Sequence, residues 1–155
     1  MQATVPILLT FAATALNGIL VGASLDQSIK QLPARKRMGA IAFSLYSRSA
    51  DLSNGIVWYA TLGIGTALIT IAATITTFVA GNAYPLPILL AGILSVLHSL
   101  ATSQAAPTNF KQLKVPNDEV ALTAIFDTFD RWQRVRVVLQ VLTFLAVLWA
   151  LFVAG

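Results

Sequence analysis

From Leu52 to Phe110 the chain carries no Asp, Glu, Lys or Arg, and the same holds for Met1 to Leu25 and for Val137 to Gly155. Uncharged stretches of this length read as membrane spans. Composition agrees, since 57% of the 155 residues are hydrophobic and 10% charged, against roughly 25% charged in ordinary soluble domains. Four spans follow, near Val5 to Leu25, Gly55 to Val79, Leu86 to Ala105 and Val137 to Ala154. Each can cross a hydrocarbon core of about 30 Å at about 1.5 Å per residue. The segment "AGNAYPLP", Ala80 to Pro87, divides the central apolar run, because Gly-Asn and two prolines stop helices. Four spans and their connections use up the chain, so the expected fold is a single all-α domain, an integral membrane four-helix bundle.

The ten Lys and Arg fall into two clusters, Lys30 to Arg48 and Lys111 to Arg136, and all six acidic residues lie in or beside them. Both clusters therefore belong on one side of the membrane, and the positive-inside tendency makes that side the cytoplasm. The expected location is the cell membrane, multi-pass, with both termini outside. "VGA", Val21 to Ala23, resembles a signal-peptide cleavage site. However, no Lys or Arg precedes the apolar run, and the run exceeds the usual length of such a segment, so it is expected to stay as a span. The net charge of +4 sits in membrane-flanking loops, which points to anionic headgroups rather than nucleic acid.

The charged loops carry helical patterns of their own. In "PARKRMGAIAFSLYSRSADLSN" the residues Met38, Ile41, Ala42, Leu45 and Ser49 share one side, while Arg37, Ser44, Ser47, Arg48 and Asp51 take the other. Pro33 suits a first helical turn. The spacing predicts an amphipathic cytoplasmic helix whose apolar side meets lipid or the bundle. In the second loop Asn117 is the expected N-cap, and Leu122, Ile125, Phe126, Phe129 and Trp132 form a stripe. Asp127 with Arg131 and Asp130 with Arg134 stand at i, i+4 spacing. Nothing interrupts this pattern before the last span, so one helix of about 55 Å is expected from about Asp118 to Ala154.

Polar residues within the spans are the candidate chemistry. His98, the single histidine, and Asn17 both fall about 13 Å from the charged ends of their spans, counting about 1.5 Å per residue, and so share a layer. An ionisable ring at that depth is a functional hypothesis by default. For Asn17 an interhelical hydrogen bond is favoured over a place on a pocket wall. Thr102 follows His98 by one turn. Trp58, Tyr59 and Gln140 are expected nearer the charged end, with Trp132 and Arg136 at the mouth. Together these residues describe a pocket between the helices that takes a hydrophobic small molecule, besides membrane lipids as neighbours. The span-two threonines and Gly63-Ile64-Gly65 read instead as close helix packing. Asp26 and Asp51 read as surface partners of nearby basic residues.

Other chemistries lack their residues. One histidine and no cysteine cannot supply the three or four protein ligands of a zinc site, and a bis-histidine haem would need a homo-oligomer that pairs two copies of His98. No phosphate-cradling glycine loop is present. The carboxylates and repeated broken helices of coupled transport are missing from the spans.

"HSLATSQAAPTNFKQL" followed by "FDTFDRWQRVRVVLQVLTFLAVLWAL" resembles the DUF1772 family of small four-span membrane proteins, which includes the fungal anthrone oxygenases. The first span and its loop, "LNGILVGASLDQSIKQLPARKRMGA", are compatible with it. The most distinctive residues are Ala106, Pro107 and Asn109, and Arg131, Trp132 and Arg136. This resemblance implies a four-helix bundle that oxidises anthrone-like or quinone-like aromatics with dioxygen, without a metal or organic cofactor. In that chemistry a base removes an acidic proton and the carbanion meets dioxygen. His98 is then the candidate catalytic base, with Tyr59, Asn17 or Gln140 bonding the enolate. Trp58, Thr102, Asn109, Trp132 and Arg136 complete the expected substrate-binding set. A non-enzymatic protein that binds lipid or a partner through its amphipathic helices is the alternative.

Overall fold

The computed structural model describes residues 4–81, 85–115 and 117–154. Part of the proline-containing turn at 80–87 and Pro116 lie outside those residues. Six α-helices follow one another: α1 Thr4–Asp26, α2 Leu32–Met38, α3 Ala40–Ser49, α4 Gly55–Val79, α5 Leu86–Phe110 and α6 Glu119–Ala154. No strand occurs among the described residues. Four continuous helical stretches, containing α1, α4, α5 and α6, are long and apolar enough to cross a membrane.

The expected spans and the helices coincide most closely at α4. Elsewhere the helices run further. α1 continues into α2 through a π-helical turn, Gln27–Gln31, with Pro33 in the first turn of α2. α5 passes its expected end at Ala105, carries Pro107 within it and stops at Phe110. One proline near a helix end removes a single backbone bond, which is not enough to end the helix when Thr108 and Asn109 are buried against neighbouring elements.

The amphipathic helix expected across the first charged loop is broken at Gly39, whose φ of 82° and ψ of 158° suit glycine and strain other residues. α3 restarts at once. The Glu119 carboxylate of α6 accepts hydrogen bonds from the backbone N–H groups of Ala40 at 2.8 Å and Ile41 at 3.1 Å. An acidic side chain from the far end of the chain thus caps a helix whose own sequence offers no cap. α3 turns Ala40, Phe43, Ser44 and Ser47 inward and leaves Leu45 and Tyr46 exposed, with Met38 exposed at the end of α2. Of the expected stripe, Ala42, Leu45 and Ser49 face outward, while Ile41 packs toward the bundle.

At the start of α6 the cap is Asp118, not the expected Asn117: the Asp118 carboxylate accepts from the Ala121 N–H at 2.9 Å. The stripe Leu122, Phe126 and Phe129 is buried as its spacing predicts. It packs with Leu32, Ala40, Phe43 and Ala105 into an apolar cluster at the charged end. Asp130 pairs with Arg134 at 2.5 Å as expected, but Asp127 pairs with Arg35 of α2 at 2.7 Å instead of Arg131. Arg35 also stands 5.8 Å from the centre of the Phe126 ring, so one guanidinium holds α2 against α6.

A second apolar cluster, Ala13, Ala73, Ile88, Ala91, Ala146, Val147 and Ala150, fills the opposite end. Small residues dominate there, which lets the helices approach closely. Gly92 marks the tightest point: a Cβ on it would lie 2.8 Å from Thr74 Oγ1. Thr74 also donates to the Ile88 carbonyl at 3.0 Å. α4 and α5 are thus pinned together near their shared turn and separate toward the charged end.

Candidate functional site

Between the two apolar clusters lie two groups of buried polar side chains, and they differ in how completely they are paired. In the first, Asn17 of α1 donates to Thr70 of α4 at 3.0 Å and to the Ala13 carbonyl at 2.8 Å. It accepts from Gln140 of α6 at 2.8 Å. Thr70 in turn donates to the Thr66 carbonyl at 2.7 Å. Every polar group of the Asn17 amide is used, as buried polar groups require. Asn17 and Gln140 are bonded to each other and do not line a cavity. Gln140 also lies deeper than expected, at the level of Asn17.

The second group surrounds a cavity of about 710 Å³ where α4 and α5 part. Leu20 and Ser24 of α1, Tyr59, Gly63, Ile64 and Leu68 of α4, and His98 and Thr102 of α5 line it. Pro107 and Asn109 extend the α5 wall, and Phe129 and Arg136 close the α6 side. Its walls are mainly apolar with a few convergent polar groups, the usual character of a small-molecule site, and its volume lies in the usual range of about 300–1,000 Å³.

His98 is 6% exposed, and its Nε2 is buried without a hydrogen-bond partner among the described residues. Its backbone carbonyl accepts from Thr102 Oγ1 at 2.9 Å. That same hydroxyl accepts from Arg136 Nε at 3.1 Å, while Arg136 Nη1 donates to Gln133 Oε1 at 2.8 Å. Because α5 and α6 run antiparallel, the Thr102–Arg136 contact sets their register. One turn back on α5 brings His98 alongside Gln140, one turn on along α6, and hence to the level of Asn17. The two residues share a layer but face different compartments of the bundle.

A buried polar network secures the cavity's charged end. Ser44 donates to Gln112 Oε1 at 3.0 Å, and Gln112 Nε2 donates to Asn109 Oδ1 at 2.8 Å and to Ser47 at 3.2 Å. Arg48 adds bonds to Ser44 at 3.1 Å and to the Gln112 carbonyl. Ser47 passes the chain on to Asp51 Oδ2 at 3.0 Å. Through these bonds α3 and the short 3₁₀ turn Lys111–Lys114 position Asn109 and Asp51 on the cavity wall.

Of the residues singled out in the sequence, His98, Tyr59, Thr102, Asn109 and Arg136 come together around this cavity. Trp58, next to Tyr59, is 55% exposed on the outer face of α4. Trp132 packs against the apolar cluster at the charged end. Arg136 lies on the cavity wall itself, one turn from the His98 layer. Asp26 is a surface partner, 2.5 Å from Lys30, but Asp51 is not. It pairs with no Lys or Arg among the described residues and faces the cavity. Burial pushes its carboxyl above the usual range, partly offset by the Ser47 hydrogen bond.

Ser24, Gln27, Asp51, Gly63 and Pro107 are cavity residues that the periodicity did not disclose. Gln27 and Asp51 sit in π-helical turns, Gln27–Gln31 and Ala50–Asn54, a geometry that recurs at functional sites because it re-aims side chains. Gly63, read as a packing glycine, has nothing within 4 Å of where its Cβ would be. It widens the void instead of bringing helices together. Compared with protein-family models, curated proteins and solved structures, the chain matches none.

Proposed function

We propose that this chain is a membrane-embedded protein that binds a hydrophobic small molecule in the cavity between α4 and α5, with His98 as its reactive group. The observation that carries this reading is the buried, unpartnered Nε2 of His98 on the wall of a ligand-sized apolar void. Polar atoms inside a protein are ordinarily paired, and an exception at a cavity marks a place where a ligand completes the pairing.

The chemistry that fits such a wall is the one the sequence resemblance suggests, cofactor-independent oxygenation of an anthrone-like or quinone-like aromatic. An imidazole removes a proton from an activated aromatic CH2, Tyr59 bonds the enolate oxygen, and dioxygen attacks the carbanion. One oxygen atom remains as the ketone and the other leaves as water, so the CH2 and O2 become C=O and H2O. In the bilayer the charged ends face the cytoplasm and both termini lie outside, following the clusters of Lys and Arg.

The test is purification in mild detergent with visible absorption and mass spectrometry of whatever the protein carries. We expect a bound aromatic or quinone-like compound, lost in His98→Ala at nearly unchanged thermal stability. A fall in stability as large as the loss of binding would make His98 a packing residue and end the reading. The exposure of Met38 on α2 and of Leu45 and Tyr46 on α3 favours a second reading, a non-enzymatic protein that binds lipid or a partner through α2 and α3. Charge reversal at the exposed Lys36 and Arg37, which leaves the Arg35–Asp127 pair in place, would then abolish partner recovery, with His98→Ala silent.

A further inference from the structure

Arg48 and Arg136 are half-buried basic residues bonded only to neutral groups among the described residues, and of the two Arg136 lines the cavity. Lys30, Arg35 and Arg134 each pair with a carboxylate. Arg136 does not: its Nε and Nη1 bond the neutral Thr102 hydroxyl and Gln133 amide, and its Nη2 has no partner among the described residues. Thr102 and Gln133 hold the guanidinium through Nε and Nη1 and leave Nη2 without a protein partner among the described residues, on a side chain that lines the cavity. A guanidinium withdrawn from water needs a counter-charge to offset its desolvation.

Asp51 shares the cavity wall but does not supply that charge. Its carboxylate is bonded to Ser47 on the α3 side, and it forms no ion pair with Arg136. The rest of the wall carries neutral polar groups, Tyr59, Asn109 and the buried, unpartnered Nε2 of His98 among them, and an apolar stretch of Ile64, Ala67 and Leu68. A cation, a second polar contact and an apolar slot therefore line one void.

We propose that the cavity takes an acidic lipophile, a single apolar body bearing one anionic oxygen, with that oxygen docked on Nη2 of Arg136 beside His98 and the body lying along α4. The proposal rests on the ligand-site reading given above and adds the charge of the ligand before any reaction. An oxyanion on a planar, oriented guanidinium makes the strong charge-assisted hydrogen bonds that arginine favours. A cavity of about 710 Å³ suits a single-bodied ligand. A free lipophilic acid and a phospholipid headgroup share the required chemistry, and the volume favours the free acid.

The test is native mass spectrometry of the full chain in a neutral detergent at pH 8, comparing dodecanoic acid with methyl dodecanoate. The acid should bind about tenfold or more tightly than its ester, the scale of one charge-assisted contact. Arg136→Met should bring that ratio close to one, and Arg136→Lys should restore part of it. Prior loading with phosphatidylglycerol that blocks dodecanoate would keep the anion requirement and make the headgroup the source. Equal binding of acid and ester by the unaltered protein overturns the proposal while leaving the cavity a ligand site. Binding of neither overturns both. The acid-to-ester comparison needs no variant, so a poorly folding Arg136→Met does not stop the test.

Discussion

Asn17 and His98 lie in the same layer of the same bundle, each buried and each on a long apolar helix, yet their surroundings differ sharply. Asn17 has Thr70, Gln140 and the Ala13 carbonyl around it. His98 has an unpartnered Nε2 and an open cavity. Depth and residue type do not distinguish the two residues; their hydrogen bonds do, complete at Asn17 and open at His98 Nε2. A paired side chain locks helices together, and an unpaired one beside a void is available to something else.

The largest expected effect comes from breaking the paired side. Asn17→Leu strands the Gln140 amide and removes the Thr70 contact, and should cost about 1–3 kcal/mol of stability, read as a lowered melting temperature in detergent. Adding Gln140→Leu should recover part of that loss, because removing both partners leaves no stranded amide. A double variant less stable than the single would break the comparison. On the open side, Gly63→Leu should fill empty space, reduce ligand binding about tenfold or more and leave the fold intact, since a Cβ there meets nothing within 4 Å. Ligand retained at full occupancy in that variant would place the binding site elsewhere.

A smaller effect sharpens the contrast between the two ends of the bundle. Glu119→Gln weakens the cap on Ala40 and Ile41 and should cost about 1 kcal/mol, measured by thermal unfolding, with ligand binding unchanged. The smallest expected effect depends on pH. Below pH of about 3.8 Asp51 is protonated in both folded and unfolded chains. As pH rises, the unfolded chain ionises freely, whereas the folded chain must charge a half-buried carboxyl whose pKa is raised, so stability falls through that window. Asp51→Asn should therefore match the parent protein near pH 4 and exceed it slightly at pH 7; the reverse order would show that the carboxylate has a cationic partner in solution.

Sequence reading succeeded where one helix alone decides the outcome. The bounds of α4, the unbroken course of α6 and the buried stripe Leu122, Phe126 and Phe129 follow from local periodicity and an absence of breakers. It was less informative where rotation about a helix axis or a distant partner decides. Trp58 and Tyr59 are adjacent, and nothing in the sequence indicates that the tyrosine faces the cavity. Asp127 has Arg131 one turn away but is claimed by Arg35, a partner 92 residues distant. The π-helical turns that aim Gln27 and Asp51 have no pattern of their own. Five of the nine candidate site residues line the cavity; helical spacing gave the depth of His98, whereas Asn109 came from the family resemblance and Arg136 was expected at the mouth, and only the assembled bundle gives their direction.

The pinch between Thr74 and Gly92 makes a fulcrum of the α4–α5 pair. From Gly92 to Pro107 the α5 arm extends about 22 Å at about 1.5 Å per residue, and the Gln112 network clasps its far end. The chamber therefore lies between two fastenings, and a methyl added at position 92 would meet Thr74 and wedge the helices apart at the first of them, six residues along each helix from His98 and Leu68 on the chamber wall.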